Sequence, residues 1–562
     1  MHTAYLAGTI FCMYDNYFIA DQFSLLAKLM DIHGENPFKS KSYGSAAFTI
    51  EKLPVPLHTL DQSALFATKG IGESTGKKVM EILQTGRLEV LEKLIASTPA
   101  GIIEMLQIKG IGPKKIHTIW KEMQIESLGE LLYACNENRL LLYKGFGAKT
   151  QQNVKEAIEF FLSHQNQFLY AEIESYALDL QEQLEKTFPG AVFMLTGAFR
   201  RQLEIIHELE WVTTLPASSL LDTLTQKDIE CLSQTDTSLT FKGEKLPLIF
   251  HLSADDQLYR TLFKTSCSEA FLLAWQEQYT IPAADAEEEI FTSNHLPYLP
   301  PCLRENPVLL HTPVHALIQP ADIRGIIHSH SNWSDGLHTL EEMTKDCIRR
   351  GLEYLVISDH SKSAFYANGL NEERILAQHQ QIDELNKKYA PFRIFKSIEC
   401  DILNDGKLDY ADDVLASFDL VIASVHSNLK MSEEKAMHRL LTAISNPYTT
   451  ILGHMTGRLL LSRPGYPVDH TQIIEACKAH QVVIELNAHP RRLDIDWRYI
   501  RQATEADVLI SINPDAHATE GFDDTRFGVL VAQKGGLTAR QNLSSFSRTE
   551  LEQWLDSRRR SR

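Results

Sequence analysis

Only eight of the 562 residues are cysteine, scattered from Cys12 to Cys477 without the close pairs of a zinc ribbon or a disulfide framework. That scarcity fits buried thiols in a reducing compartment. No apolar run is long enough to span a membrane. Ala4 to Met13 is apolar but lacks the basic leader and small-residue cleavage site of a signal peptide. A cytoplasmic chain with no membrane partner is therefore expected, and residues 1–12 read as an extension ahead of a start at Met13. Positive charge is not in excess either. The formal net charge is -18, so any nucleic-acid contact has to come from local basic patches and backbone donors. Arg558, Arg559, Arg560 and Arg562 form one such patch, read as a solvated chain end. What remains, 44% hydrophobic and 23% charged residues, is a globular composition with room for three or four domains.

The most regular stretch spans residues 320–562. Seven short apolar runs there each end in residues able to bind a metal: Ile326 to His330, Tyr354 to His360, Ile394 to Glu399, Leu420 to His426, Ile451 to His454, Val482 to Asn487 and Val508 to His517. Nearly continuous apolar runs of this length, separated by helical patterns, suggest parallel strands buried on both faces. Thr339 with Glu342, Asp469 with Gln472 and Ser547 with Glu550 have the spacing of helix caps, and Gly351 sits where a helix would stop. Strand and helix alternating in this way predict a closed α/β barrel, whose functional residues cluster at the carboxyl ends of the strands.

His328 and His330 are two apart on a strand and share a face. With the carboxylates around them they suit borderline divalent metals such as zinc or manganese. A cluster of such metals activates water and clamps phosphoryl oxygens, which makes phosphoester hydrolysis the natural reaction.

The motifs HSHSNWSDG, ISDHS, IECDIL, SVHSN, GHMTGR, ELNAHP and NPDAH closely resemble the polymerase and histidinol phosphatase (PHP) domain, in the form carried by bacterial family X DNA polymerases. The resemblance implies a distorted, TIM-like (β/α)7 barrel with three divalent metals, Mn2+ or Zn2+. It assigns His328, His330, Glu399 and Asp515 to one metal, Asp335, His360 and His517 to a second, and His426 and His454 to a third, with Glu399 bridging the first and third. Glu399, His328, Asp515 and Arg458 are then the expected catalytic residues, Arg458 neutralising the leaving group. Arg463, Asn487, His489 and Arg491 are expected as phosphate contacts.

Residues 13–95 and 96–160 read as small helical domains. A helix is expected over Gln22 to Met30 and another through Ala46 and Ile50, and the GENPF stretch between them is similar to the opening of the amino-terminal domain of family X polymerases. Three glycine triplets follow: Gly70-Ile71-Gly72, Gly110-Ile111-Gly112 and Gly145-Phe146-Gly147. Glycines around an apolar anchor permit a tight turn between helices and free the next helix's backbone amides to hold a phosphate. With Lys114, Lys115 and Lys149 alongside, they resemble helix-hairpin-helix elements, which grip the DNA backbone without reading bases. Lys78 matches the Schiff-base lysine of relatives with lyase activity, a role that needs a depressed pKa.

Residues 161–310 resemble the palm and thumb of the same family. A helical pattern from Gln151 to Lys186 leads into the apolar run Ala191 to Leu195 and then Gly197-Ala198-Phe199-Arg200-Arg201. The family carries two aspartates two residues apart on the strand that follows; here those positions hold Glu208 and Glu210. An added methylene shifts a carboxylate by about an ångström, enough to cost on the order of a hundredfold in rate. The third acid aligns with Ile249, which has no ligand atom, with Asp255 and Asp256 as the alternative. The palm thus reads as degenerate, and Mg2+ is expected there only if it works.

The leading expectation is a cytoplasmic, monomeric DNA-repair hydrolase: a metal-dependent 3'-5' exonuclease or related phosphoesterase acting on gapped, nicked or 3'-blocked duplex, with polymerase activity weak or lost. Three alternatives stand beside it. They are an active gap-filling polymerase with a proofreading nuclease, a non-catalytic DNA-binding scaffold, and a small-molecule phosphatase resembling histidinol phosphatase.

Overall fold

The computed structural model describes residues 14–53, 55–68, 70–163, 166–311 and 316–561, so the extension expected over residues 1–12 lies outside the described residues. The chain divides into two compact units, residues 1–165 and 166–562.

The first unit is helical. Asn16–His33 starts at Asp15, whose side chain accepts from Phe18 N, and stops at Gly34 in the left-handed region. It is longer than the expected Gln22 to Met30 because Ile19, Phe23, Leu26, Met30 and their neighbours keep one apolar face for its whole length. Pro37–Glu51 follows, with proline at its first position and the Asn36 side chain as cap. One continuous core, from Ile19 to Ile158, joins the segments read from sequence as two domains.

The second unit opens with Tyr170–Thr187, a helix separate from Ala148–Ser163. The helical pattern that runs through both is broken where Phe168–Leu169 pairs antiparallel with Ile205–Ile206. A five-stranded sheet follows in the order Phe193–Thr196, Leu209–Thr213, Pro247–Leu252, Ser238–Lys242, Cys231–Gln234. Only its second and third strands run parallel. A second small core around Phe263, Trp275 and Phe291 packs the thumb-like helices.

The barrel supplies the rest. Its seven strands, Gly325–Ile326, Tyr354–Ile357, Arg393–Asp401, Leu420–Ser424, Ile451–Leu452, Val483–Asn487 and Ile510–Asn513, are all parallel and stand side by side in chain order. A parallel bridge between Ser329 and Ala516, with His330 N donating to Ala516 O at 2.8 Å, joins the first run to the last and nearly closes the ring. Almost every strand residue is buried, as strands covered on both faces require. The caps read from sequence are in place: Thr339 and Glu342 form a reciprocal capping box, Asp469 caps His470–His480, and Ser547 and Glu550 bond each other's backbones.

Candidate metal centre

The first strand ends two residues before His328, because His328 takes a φ of +63°. Asp515, across the closure, takes +53°. Left-handed backbone in residues with a Cβ is uncommon and clusters at functional sites. Here it turns both side chains inward at the carboxyl end of the barrel.

Glu399 stands at the centre. Its Oε1 lies 3.2 Å from His328 Nε2, 3.1 Å from His426 Nε2 and 2.9 Å from His454 Nε2, and its Oε2 lies 3.0 Å from His360 Nδ1. Asp515 Oδ1 is 3.1 Å from His330 Nε2 and 3.5 Å from His328 Nε2. Asp335 Oδ1 is 3.6 Å from His360 Nε2 and 3.5 Å from His517 Nε2. Among the described residues, three groups have ligand atoms close enough to share an ion: His330, Asp335, His360 and His517; His328, His330 and Asp515; His360, Glu399 and His426. The nine positions thus converge, with a different division from the one expected. His330 and His360 each stand in two groups, and His454 reaches the cluster through Glu399.

The electrostatics fit cations. Burial acts against charge on Glu399, yet His426, His328 and His360 hold its carboxyl well below the ordinary range. Asp335 is held at about 2, burial being outweighed by His517 and His360. Burial, then His517 and His360, push His330 down to about 3, which keeps its imidazole neutral and able to ligate. Buried Nε2 of His328, Nδ1 of His360 and Oε2 of Glu399 approach one another's side chains closely but without the angles of a hydrogen bond. Buried carboxylates gathered this closely are costly without cations, and orphaned imidazole and carboxylate atoms are what divalent ions take as ligands.

A further shell orients the ligands. His328 donates through Nδ1 to Glu485 Oε2 at 2.6 Å, and His426 donates to Asp401. Asn487 donates to Glu485 Oε1 and to Asp515 Oδ2, both at 3.1 Å. It is fully buried, so its amide aligns the carboxylates of Glu485 and Asp515 instead of meeting a phosphate. Asp359 accepts from Ser331 N (2.8 Å), Ser334 Oγ (2.5 Å) and Gln378 Nε2 (2.6 Å), fixing the loop that carries His330 and Asp335. Glu485 and Asp401 were visible in the ELNAHP and IECDIL motifs, but only the fold shows which histidine each one orients.

The arginines are redistributed. Arg458 is not free to meet a leaving group: it pairs with Asp496 at 2.7 Å and donates to the carbonyls of Arg492 and Leu493. Arg463 donates to Gly457 O, Arg491 pairs with Glu172 at 3.1 Å, and His489 Nδ1 accepts from Arg491 N. Arg492, which no sequence signal separates from its neighbours, lies 3.5 Å from Asp515 Oδ2.

In the five-stranded sheet Glu210 stands opposite Ile249 in register. Its carboxylate accepts from His251 at 2.8 Å and lies against Gly197, where an added Cβ would meet it. Burial and Glu210 push the Glu208 carboxyl up. Asp255 and Asp256 are exposed on the turn after the strand. Arg200 and Arg201 turn away, to Glu287 at 2.9 Å and Glu305 at 2.6 Å. Among the described residues, no group of three ligands forms outside the barrel.

In the first unit, Gly70, Gly110 and Gly145 have φ of +90°, +93° and +95°, each introducing a turn anchored by buried Ile71, Ile111 or Phe146. Gly72 and Gly112 cap Glu73–Thr85 and Pro113–His117, and Gly147 precedes Ala148–Ser163. A Cβ built on Gly72, Gly110, Gly112, Gly145 or Gly147 meets nothing within 4 Å. Lys114 and Lys149 are exposed; Lys115 donates to Gly110 O at 3.0 Å. Lys78 is half-buried, with its Nζ 5.9 Å from the Tyr43 ring centre.

Comparison with known proteins agrees with this geometry. Residues 15–88 match a family model described as "Helix-hairpin-helix domain", and residues 102–159 one described as "SAM-like Helix-hairpin-helix tandem". The chain is 32% identical over 556 residues to "DNA polymerase/3'-5' exonuclease PolX" of Bacillus subtilis, covering 94% of this chain and 97% of that protein. The chain belongs to the PolX family. The barrel alone is similar to smaller proteins: it is 27% identical over 224 residues to a "Probable phosphatase" of Thermoanaerobacter sp. strain X514, covering 38% of this chain and 86% of that protein. It is 25% identical over 243 residues to a "Probable phosphatase" of Vibrio parahaemolyticus, covering 40% and 92%. Within PolX, then, the barrel is a phosphatase-like module joined to helix-hairpin-helix and palm-like parts. No helix among the described residues is long and apolar enough to cross a membrane.

Proposed function

We propose that this PolX-family chain is a metal-dependent 3'-5' exonuclease of DNA repair whose barrel does the chemistry while its palm is weak or silent in synthesis. The observation that carries the reading is the contrast between two sites in one unit: buried Glu399 clustered with eight other candidate ligands, against Glu210 bonded to His251 and facing Ile249. The relative from Bacillus subtilis is named for both activities, and the barrel relatives for phosphatase activity alone.

His328, His330, Asp335, His360, Glu399, His426, His454, Asp515 and His517 would hold three divalent ions, Mn2+ or Zn2+. Such ions, when bound, supply Lewis acidity toward phosphoryl oxygens and a hydroxide source near neutral pH. Glu485 and Asp401 fix the ring orientation of His328 and His426. Arg492, beside Asp515, takes the place first given to Arg458 and offers a guanidinium to phosphate. Gly110, Gly112, Lys114, Gly145, Gly147 and Lys149, with the first triplet, would hold gapped, nicked or 3'-blocked duplex by its backbone, the chain acting as a cytoplasmic monomer. Lys78 is proposed for lyase chemistry only as a subsidiary role.

The test is degradation of 3'-labelled and 5'-labelled gapped duplex with manganese, by the native chain and by His328→Ala, with and without deoxynucleotides. Shortening from the 3' end that disappears in the variant, without extension by either protein, is the expected result. Extension by both would make the palm an active polymerase site and overturn the reading.

A further inference from the structure

Phe365 and Tyr366 are among the most exposed large side chains of the described molecule, at 86% and 65%, yet they sit on one of its most firmly tied loops. The loop follows the second barrel strand on the catalytic face and begins at His360. Ser361 N donates to Glu399 O at 3.0 Å, Lys362 N to the Tyr410 hydroxyl at 3.1 Å, and Ser363 N to Asp409 at 2.6 Å. Leu370 N returns to His360 O at 2.8 Å. Ala364 and Ala367, on either side of the aromatic pair, are buried, and Asn368 donates to the carbonyls of Trp333 and Ser334. Gly369 leaves no room for a Cβ against Ser361 O.

The backbone is thus fixed on both sides, and the two rings stand 6.0 Å apart, edge to face. The loop that carries them is anchored to the metal centre itself, since it begins at His360 and Ser361 N bonds the backbone oxygen of Glu399. Adjacent rigid aromatic rings left in water beside a phosphodiesterase centre are the form of a stacking surface for unpaired bases, because every base offers a π-face. The carboxylates of that centre repel a phosphate unless cations intervene, so the rings suit the base and the metal cluster suits the linkage.

We propose that Phe365 and Tyr366 form a stacking platform that holds the unpaired 3'-terminal nucleobase while its phosphodiester lies at the metal cluster. The occupant is a single-stranded DNA end, and the proposal rests on the exonuclease reading for its role though not for its test. One stacked base at such a surface changes affinity by roughly five- to a hundredfold.

The measurement is binding to an oligonucleotide carrying 2-aminopurine at its 3' terminus, with Ca2+ in place of Mn2+, by the full chain and by Phe365→Ala, Phe365→Trp and Tyr366→Ala. Stacking quenches the probe. The native chain and Phe365→Trp should quench it, while Phe365→Ala should bind at least fivefold more weakly with most of the quench lost; Tyr366→Ala should show a smaller loss. In parallel, the native chain should prefer a 3'-terminal base over a 3'-terminal abasic residue in kcat/KM, and Phe365→Ala should lose that preference. Equal quenching by native and Phe365→Ala proteins, or none by the native chain, overturns the platform, as does quenching by a probe inside the duplex only. Intact quenching without any manganese-dependent cleavage would instead overturn the exonuclease reading and leave the platform standing.

Discussion

Glu399 and the side chains that aim its histidines set what a single substitution can do. His328 is held by Glu485 at 2.6 Å in a fully buried position, so its free nitrogen is orientated before any ion arrives. Glu485→Gln is expected to weaken manganese binding about 10- to 100-fold while the fold survives. Equilibrium dialysis and the manganese dependence of cleavage both read this, and a change under twofold would show that Glu485 does not orient His328. Two arginines make the complementary case. Arg492→Ala should lower kcat and leave the thermal midpoint unmoved, since Arg492 faces Asp515. Arg458→Ala should do the reverse, because it strips Asp496 and two carbonyls of their donor, a loss of about 1–3 kcal/mol. The candidate ligands were legible in sequence because each follows an apolar run, although the inward turn of His328 and Asp515 comes from left-handed backbone that the runs do not show. Arg458 and Arg492 were not separable, because both lie in loops whose course depends on contacts far along the chain.

At the scale of elements, the glycine triplets were readable for a different reason: a left-handed turn before a helix leaves glycine as the residue of choice, and the sequence repeats it three times. Gly110 and Gly112 divide the two uses of glycine. Gly110 sits at +93°, so Gly110→Ala should cost on the order of 1 kcal/mol or more in stability. Gly112 has an ordinary negative φ and open space where its Cβ would stand, so Gly112→Ala should fold normally. It should still weaken duplex binding, because the methyl group enters the space a phosphate would use. Lys114→Ala should weaken binding uniformly across sequences and reduce the slope of log affinity against log salt by about one. Unchanged affinity in both variants would remove the second triplet from the DNA interface. The palm illustrates the limit of this reading. Ile249 at the expected position of the third acid, with Asp255 and Asp256 as the alternative, was visible in sequence, but His251 bonded to Glu210 was not, because that contact depends on the register between two strands separated by a long excursion.

At the scale of the whole molecule, the palm-like sheet is tied to the helices that follow it by buried ion pairs. Glu287 is buried and accepts from Arg200 at 2.9 Å and from Arg304 at 2.7 Å, and Arg304 is itself enclosed by Phe263, Phe291 and Tyr298. Arg200 lies in the palm motif, whereas Glu287 and Arg304 belong to the thumb, so the motif's first arginine joins two cores. Its neighbour Arg201 pairs with Glu305, and its carbonyl accepts from Lys534 of the barrel at 3.1 Å. Nothing in the sequence pairs residues so far apart; only the packed unit does. Burial works against the Glu287 charge, but Arg304 and Arg200 outweigh it and bring the carboxyl from 4.5 down to about 2. A carboxyl depressed in the folded state takes up its proton more readily on unfolding. Its contribution is therefore complete above about pH 5 and is lost as pH falls toward 2, roughly 3 kcal/mol in all. Glu287→Gln should lose about 3–5 kcal/mol at pH 7, because Arg304 is left buried without its counter-charge. Between pH 5 and 3 its urea midpoint should fall less steeply than that of the native chain. If the native and variant curves run parallel through that window, the ion pair does not titrate on unfolding, and the join between palm and thumb rests on packing alone.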